Sequence, residues 1–343
     1  MAAGKGPVAA GVAPMTAGEG PSLLYLSRDD VAGLGLPMAD VLGAVEESFR
    51  RKGRGEVRLP AKIGVDAGGG AFAHAMPAFV PAAGALGVKW VGVFPGNPGL
   101  GLPTVSGLIV LDDPATGLPV AVMDATLVTA LRTGASAGVA ARFLAREGAE
   151  VAAIVGCGVQ GRAGLRALAA ALPGLREVRC RDSSEAAARS FVDELGPLLP
   201  VLELGICGSA PEAVVGADVV LTAIPMTGGL PPLDAGLLGR GALAVALDYD
   251  AAWSAAAMAE CERLVTDDLA QTQATKAAGA HLADLPAIDA DLGRVVAGLE
   301  PGRLDAAQRI LCLNLGIATH DVLTAHLVFE RALAAGVGTR LPL

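Results

Sequence analysis

The stretch VAAIVGCGVQGRAGLRAL, starting at Val151, limits the possible folds more than any other part of this chain. An apolar run, Val151 to Val155, enters Gly156-x-Gly158-x-x-Gly161, with Cys157, Val159 and Gln160 filling the gaps, and a helical pattern follows. The first glycine permits a tight turn, and the second lets a pyrophosphate approach the backbone. The third lets the helix pack on the strand, with its N-terminal N–H groups aimed at the phosphates. Three glycines alone mean little in a chain with 46 of them. In strand–turn–helix order they specify a dinucleotide site. The next strand pattern, EVRCRD, ends at Asp182, 21 residues beyond Gly161. An acidic residue there accepts from a ribose 2′-OH and repels a 2′-phosphate, which favours NAD over NADP. The neighbouring Arg181 is the opposing signal, because it could receive a 2′-phosphate. Asp182 or Ser183 also reads as a helix N-cap before SSEAAARSF.

The same pattern continues through DVVLTAI, which contains Ala223, and ALAVALDYD, with helices between. Strands alternating with helices imply a parallel, doubly wound sheet. Upstream the signals differ. RLPAKIGVD, GAFAHAMPAF, GVKWVGVF, TVSGLIVLDD and LPVAVMD are strand-like runs separated by Gly and Pro, and they read as an antiparallel sheet from Val57 to Asp124. Ser22 to Leu26 is a short strand candidate, LPMADVLGAVEESFRRKGRGE is a helix, and a last helix begins near LGIATHDV.

At 343 residues and 52% hydrophobic, the chain has enough material for two cores. A net charge of -9 with no basic run argues against nucleic acid and anionic membranes as partners. No apolar run reaches the length of a membrane-spanning helix. The first 20 residues, rich in Ala, Gly and Pro, read as a disordered tail rather than a signal peptide. The five scattered cysteines lack metal-ligand spacing. They predict a cytoplasmic protein with reduced thiols and no metal site.

The segment ALGVKWVGVF places Lys89 inside an apolar strand, in a chain with only five lysines against 21 arginines. A buried, unpaired ammonium is costly, so Lys89 should face an anion. Lys62, in LPAKIG, and Arg132, in TALRTGASAG, are further cations in apolar surroundings. Together the three suit a small carboxylate, with Arg132 as a bidentate fork. Taken singly, Lys62 also reads as a side chain snorkelling to solvent, and Arg132 as a surface ion pair or a cap. His74, in AHAMP, reads either as a core histidine or as an acid/base near neutral pH.

The matching text MPAF (Met76–Phe79), GVKWV…PGNP…GLPTV, AVMDAT, ALRTGA (including Arg132 and Thr133), IVGCGVQ and LGIA..D ending at Asp321 runs in consistent order from about Val57 to the C-terminus. On these residues the chain resembles the ornithine cyclodeaminase/mu-crystallin family, and within it the archaeal-type alanine dehydrogenases. The resemblance implies an α/β fold in which an NAD-binding Rossmann domain, residues 126–314, is inserted into a second α+β domain. That second domain, residues 21–125 plus 315–343, would bind substrate and form a homodimer. The resemblance makes Lys89 an active-site lysine beside a substrate carboxylate and Lys62 and Arg132 carboxylate ligands. Met76 would line the substrate site, and Asp248 would be a catalytic aspartate facing the amine. Thr133, Ala223 and Asn314 join the cofactor-binding set.

The chain also departs from the family. Asp248 is followed by Tyr249-Asp250 instead of Gly-Pro-Gly, which makes Asp250 a rival. His74 stands where relatives carry glutamate or arginine, Phe94 where many carry histidine, and Asn314 where many carry serine. The activity these features imply is NAD-dependent oxidoreduction at the CH–NH2 group of a small α-amino acid, or of its imine. One alternative is redox-neutral cyclodeamination of ornithine or lysine with release of ammonia. Another, of a different class, is a crystallin-like NAD(P)H-binding protein without catalysis.

Overall fold

The computed structural model describes residues 20–225, 232–279 and 281–343. The proposed tail, up to residue 19, lies outside the described residues. The chain divides into two compact units, the first running up to Leu36 and then over Glu56–Val128 and Ala318–Leu343, the second over Pro37–Gly55 and Thr129–Ile317.

The first unit opens with β1 (Ser22–Leu26) and a short helix, Arg28–Gly33, started by a capping box between Ser27 and Asp30. A meander follows: β2 (Ile63–Gly68), β3 (Ala71–Val80), β4 (Ala85–Val93), β5 (Val105–Asp112) and β6 (Pro119–Asp124). These five pair antiparallel in sequence order, as strand-like runs separated by Gly/Pro turns predict. β6 also pairs parallel with β1.

The second unit holds the parallel sheet. Its strands are β7 (Val151–Val155), β8 (Glu177–Arg181), β9 (Glu203–Ile206), β10 (Val219–Thr222), β11 (Leu243–Ala246), β12 (Arg263–Thr266), β13 (Ala290–Asp291) and β14 (Ile310–Leu313). They lie in the order β13-β12-β14-β11-β10-β7-β8-β9. The order reverses between β7 and β10, and such a switch point opens a crevice at the carboxyl ends of the strands. β10, β11, β12 and β14 are four-residue strands buried at every position. Apart from Thr222, Arg263 and Thr266 they are apolar, as a sheet covered on both sides requires.

After β14 the chain returns to the first unit. The Ala318–Ala335 helix packs on β3, β4 and β5, and β15 (Thr339–Pro342) pairs antiparallel with β1. The first sheet thus reads β15-β1-β6-β5-β4-β3-β2.

The helix Met38–Gly53 corrects the sequence reading, which placed it in the first domain. It packs against the helices Leu292–Val296 and Val159–Ala171 of the second unit and buries Val41, Leu42, Val45 and Phe49. Lys52 pairs with Asp291 at 2.5 Å and with Asp268 at 3.2 Å. At Gly53 an added Cβ would lie 2.0 Å from the Gly293 carbonyl oxygen, so only glycine permits this approach. The helix belongs where its apolar stripe is buried, which its position in the sequence could not show.

Candidate functional site

In the first unit the register of the strands sets the surroundings of Lys89. Met76 on β3 lies opposite Lys89 on β4, Lys89 opposite Ile109 on β5, Ile109 opposite Met123 on β6, and Met123 opposite Leu26 on β1. Opposed residues share a face, so the five side chains form one row across the sheet. All are buried, and the Ala318–Ala335 helix covers this face. Lys89, 1% exposed, is the cation in an otherwise apolar row.

The protein itself supplies an anion. Lys89 Nζ donates to Asp321 Oδ1 at 2.7 Å, across 232 residues of sequence. Asp321 is fully buried on the covering helix. It entered the sequence reading only as the last letter of a motif. An acidic residue on the apolar face of a helix was the available signal.

His74 shares the face of Met76, two residues away on β3, and lies opposite Val91 on β4 and Gly64 on β2. Burial, and then the nearby charges of Lys62 and Lys89, push its pKa down from 6.5 to about 4. The ring is therefore neutral through physiological pH. That value leaves little imidazolium near neutral pH, so the ring, with one N–H donor and one acceptor nitrogen, suits hydrogen bonding better than the part of a general acid. Lys62, His74, Met76 and Lys89 form a cluster, linked by register and by the charges acting on the ring.

A stability effect follows with a fixed sign. The unfolded chain binds the His74 proton at a higher pH than the folded chain, so stability falls as pH drops from about 6.5 to about 4. His74→Gln is expected to lose less melting temperature than the wild type over that interval. Parallel pH profiles for the two proteins would contradict the shift.

In the second unit the glycine motif sits at the switch point. Gly156 follows β7 with φ +102°, and a Cβ there would lie 2.4 Å from the Ala223 carbonyl oxygen just beyond β10. A Cβ on Gly161 would lie 2.0 Å from the Gly156 oxygen, so turn and helix touch. Gly158 behaves differently: nothing among the described residues lies within 4 Å of an added Cβ. It is the N-cap of the Val159–Ala171 helix, and no side chain caps that end. Val159 is 63% exposed, and Gln160 Oε1 is buried with no hydrogen-bond partner among the described residues. An uncapped helix N-terminus, an open approach over Gly158 and an orphaned amide oxygen fit a dinucleotide pyrophosphate.

Asp182 follows β8 directly. Its Oδ2 accepts from the Cys157 N–H at 2.8 Å and its Oδ1 from the Ser184 N–H at 2.9 Å, which locks the carboxylate beside the turn. A carboxylate has room for further donors, so a ribose hydroxyl fits. The helix cap is Ser184, whose side chain accepts from Ala187 N, rather than Asp182 or Ser183. Arg181 reaches the Cys207 carbonyl on the β9 side at 3.5 Å.

The structure separates the two rival aspartates. Asp248 follows β11 and is 2% exposed. It accepts from Thr222 Oγ1 and from the Ile224 N–H, both at 3.0 Å, on either side of Ala223. Burial outweighs these bonds and raises its pKa to about 6. Asp250 points elsewhere. It accepts from the Leu282 N–H at 2.6 Å and meets His281 Nδ1 at 3.2 Å. Between them Tyr249 adopts φ +60°, a conformation that costs a non-glycine residue and that recurs at functional sites.

Arg132 and Thr133 lie on the Ala125–Leu144 helix. Ser136 Oγ donates to the Thr133 carbonyl at 2.7 Å and accepts from Asn314 Nδ2 at 3.2 Å. The Arg132 guanidinium rests on Gly316, where a Cβ would fall 2.7 Å from Nη1. Gly316, at φ +84°, is held by its own N–H to Asp267 Oδ2 at 2.6 Å and by Gln271 Nε2 to its carbonyl at 3.1 Å. The turn after β14 thus gathers Arg132, Thr133 and Asn314. Sequence reading missed Ser136, Asp267 and Gly316, which touch the candidates only through tertiary contacts.

All five cysteines are free and buried. Among the described residues no His/Cys/Asp/Glu group could hold a metal ion, and no helix is long and apolar enough to cross a membrane.

Comparison with known proteins gives the chain's relatives. The alanine dehydrogenase of Archaeoglobus fulgidus is 34% identical over 327 residues, 93% of this chain and 98% of that one. An archaeal alanine dehydrogenase dimer with bound NAD superposes with a TM-score of 0.83 at 32% identity, covering 94% of this chain and 100% of that chain. The Thermococcus litoralis Δ1-pyrroline-2-carboxylate reductase, in complex with NADH and L-proline, gives 0.82 at 30% identity over 92% of this chain and 99% of that chain. The glycine turn, the switch-point aspartate and the lysine row thus lie in a chain whose residues 25–336 match one family model, and the chain belongs to the ornithine cyclodeaminase/mu-crystallin family.

Proposed function

We propose that this protein is an NAD(H)-dependent oxidoreductase acting at the CH–NH2 carbon of a small α-amino acid, or on the corresponding imine. The observation that carries the reading is that one chain holds both a dinucleotide cradle and three buried charged side chains, Lys89 in the first unit and Arg132 and Asp248 in the second. A protein that only stored a dinucleotide would need none of these three, and burying them is costly.

Each residue takes its role from its own surroundings. Lys62, Lys89 and Arg132 hold the substrate carboxylate, with Arg132 kept in one orientation by its seat on Gly316. Met76, beside Lys89, contributes apolar wall. His74 is a neutral hydrogen-bonding group facing the lysines. Gly156, Gly158, Val159, Gln160 and Gly161 carry the pyrophosphate. Asp182 takes the ribose hydroxyls, and Thr133, Ala223 and Asn314 bound the nicotinamide end. When bound, NADH supplies a hydride to the imine carbon. Asp248, titrating near pH 6, exchanges a proton with the nitrogen or positions water at the same carbon. Balance requires one hydride and one proton per imine reduced. The engagement of Arg181 with the Cys207 carbonyl, and the carboxylate of Asp182 beside the glycine turn, support NAD over NADP.

The same reading makes the protein a homodimer. The face of the first sheet opposite the Lys89 row carries Ile63, Trp90 and Leu108 in register, exposed by 66%, 50% and 46%. An apolar patch of this kind on a sheet face marks an interaction surface.

The test is consumption of NADH with cyclic imino acids, and with 2-oxo acids plus ammonia, run beside ammonia release from ornithine and lysine. Saturable NADH oxidation and a light-scattering mass of two chains are expected. Ammonia release without net change in NADH would favour the cyclodeaminase, and no turnover of any kind would favour a binding protein.

A further inference from the structure

We propose that Asp321 is a positioning residue for Lys89, keeping its ammonium charged and fixed in direction. The inference rests on the role given to Lys89 above. Lys89 stands in a row with Leu26, Met123, Ile109 and Met76, none of which can stabilise a charge. Left there alone, it would lose its proton readily, because burial favours the neutral amine. A neutral amine could not pair with a carboxylate. Asp321 Oδ1 lies 2.7 Å from Lys89 Nζ, with side chains 0% and 1% exposed. The bond comes from the helix that covers the row, so docking of that helix and charging of the lysine are one event. An ammonium has three N–H donors in fixed geometry. Committing one of them to Asp321 sets the directions of the others. Other titratable groups near the row are Lys62 and His74 on the sheet side and His320, buried beside Asp321 on the covering helix.

The pairing has a signature that a merely structural bond would lack. Removing the carboxylate should lower the pKa of Lys89, so the alkaline limb of kcat/KM moves to lower pH. Asp321→Asn keeps the shape and removes the charge. We expect its alkaline limb to move down by about one pH unit or more. Its kcat/KM near pH 8 should fall ten- to a hundredfold, mainly through KM for the carboxylate substrate, while NADH binds with unchanged Kd. An unmoved limb, or a kcat/KM within twofold of wild type, would overturn the proposal. Should Asp321→Asn fail to fold, Asp321→Glu carries the test. It retains the charge and displaces it by one methylene, so the limb should stay while kcat/KM falls. Wild-type kcat/KM in Asp321→Glu would overturn the assignment.

A second arm needs no substrate. In Asp321→Asn, Lys89 stays buried without that carboxylate, so its ammonium is less favourable in the folded chain than in the unfolded one. The deficit in melting temperature relative to wild type should therefore shrink as pH rises from about 7 toward about 10. A gap that stays constant over this range would overturn the proposal. Inactivity of the wild type on every imine and 2-oxo acid would refute the proposed function instead, and the thermal arm would still decide whether Asp321 charges Lys89.

Discussion

Lys89→Ala is expected to lose most of its turnover while NADH binding persists. Two losses combine. The substrate carboxylate loses a cation in a water-poor setting, where removing one partner of a hydrogen-bonded charge pair costs about 2–5 kcal/mol. That corresponds to about 30- to 5000-fold in kcat/KM. The fold loses the partner of Asp321, and breaking a buried pair from one side costs about 3–5 kcal/mol, because the surviving charge stays buried. The variant should therefore melt well below wild type, and activity must be measured at a temperature where it is folded. Fluorescence titration with NADH establishes that the glycine cradle is intact. A folded, NADH-binding Lys89→Ala protein with wild-type turnover would remove Lys89 from the mechanism.

Asp248→Asn should cost about 10²–10⁴-fold in kcat, the usual worth of a positioned acid/base. The pH profile adds sign. With a pKa near 6, the carboxyl is ionised above that pH, so turnover that needs a base rises as pH climbs through about 6. The asparagine variant should lack this limb. Its stability moves the other way. The raised pKa means that ionising Asp248 opposes folding, a penalty that grows between about pH 4 and 6 and is complete above it. Asparagine carries no such charge, so Asp248→Asn should melt no lower than wild type at pH 7. Loss of activity without loss of stability separates a working carboxylate from a structural one. An Asp250→Asn variant with the larger kinetic defect would reverse the choice between the two.

Much of this was legible in the sequence, and the limits have physical causes. The glycine motif was readable because its requirements are local: a turn, a close approach and a helix start within ten residues. The meander was readable because Gly and Pro turns cut the chain into short strand-like runs. The four-residue strands β12 and β14 were not seen as strands: β12 has Arg263 and Thr266 at its ends and β14 runs straight into Asn314, so neither stands out as a β-branched apolar run as β10 does. The helix Met38–Gly53 was recognised as a helix but placed in the wrong unit, because amphipathicity shows that a face is buried without naming its partner. Lys89 raised the right question, and the answer lay 232 residues away on Asp321. Asp248 and Asp250 differed by a thin margin of spacing. Two hydrogen bonds from the end of β10 and one positive φ between the aspartates distinguish them in the structure.

The central claim is that hydride passes between the dinucleotide and the carbon bearing nitrogen. It is tested most directly by incubating the protein with NADH deuterated at the transferable position and a cyclic imino acid, or a 2-oxo acid with ammonia, and locating the label by mass spectrometry and NMR. The account predicts one deuterium at Cα of the amino-acid product. Tight NADH binding with no deuterium in any product, and with the label retained on the dinucleotide, would contradict it.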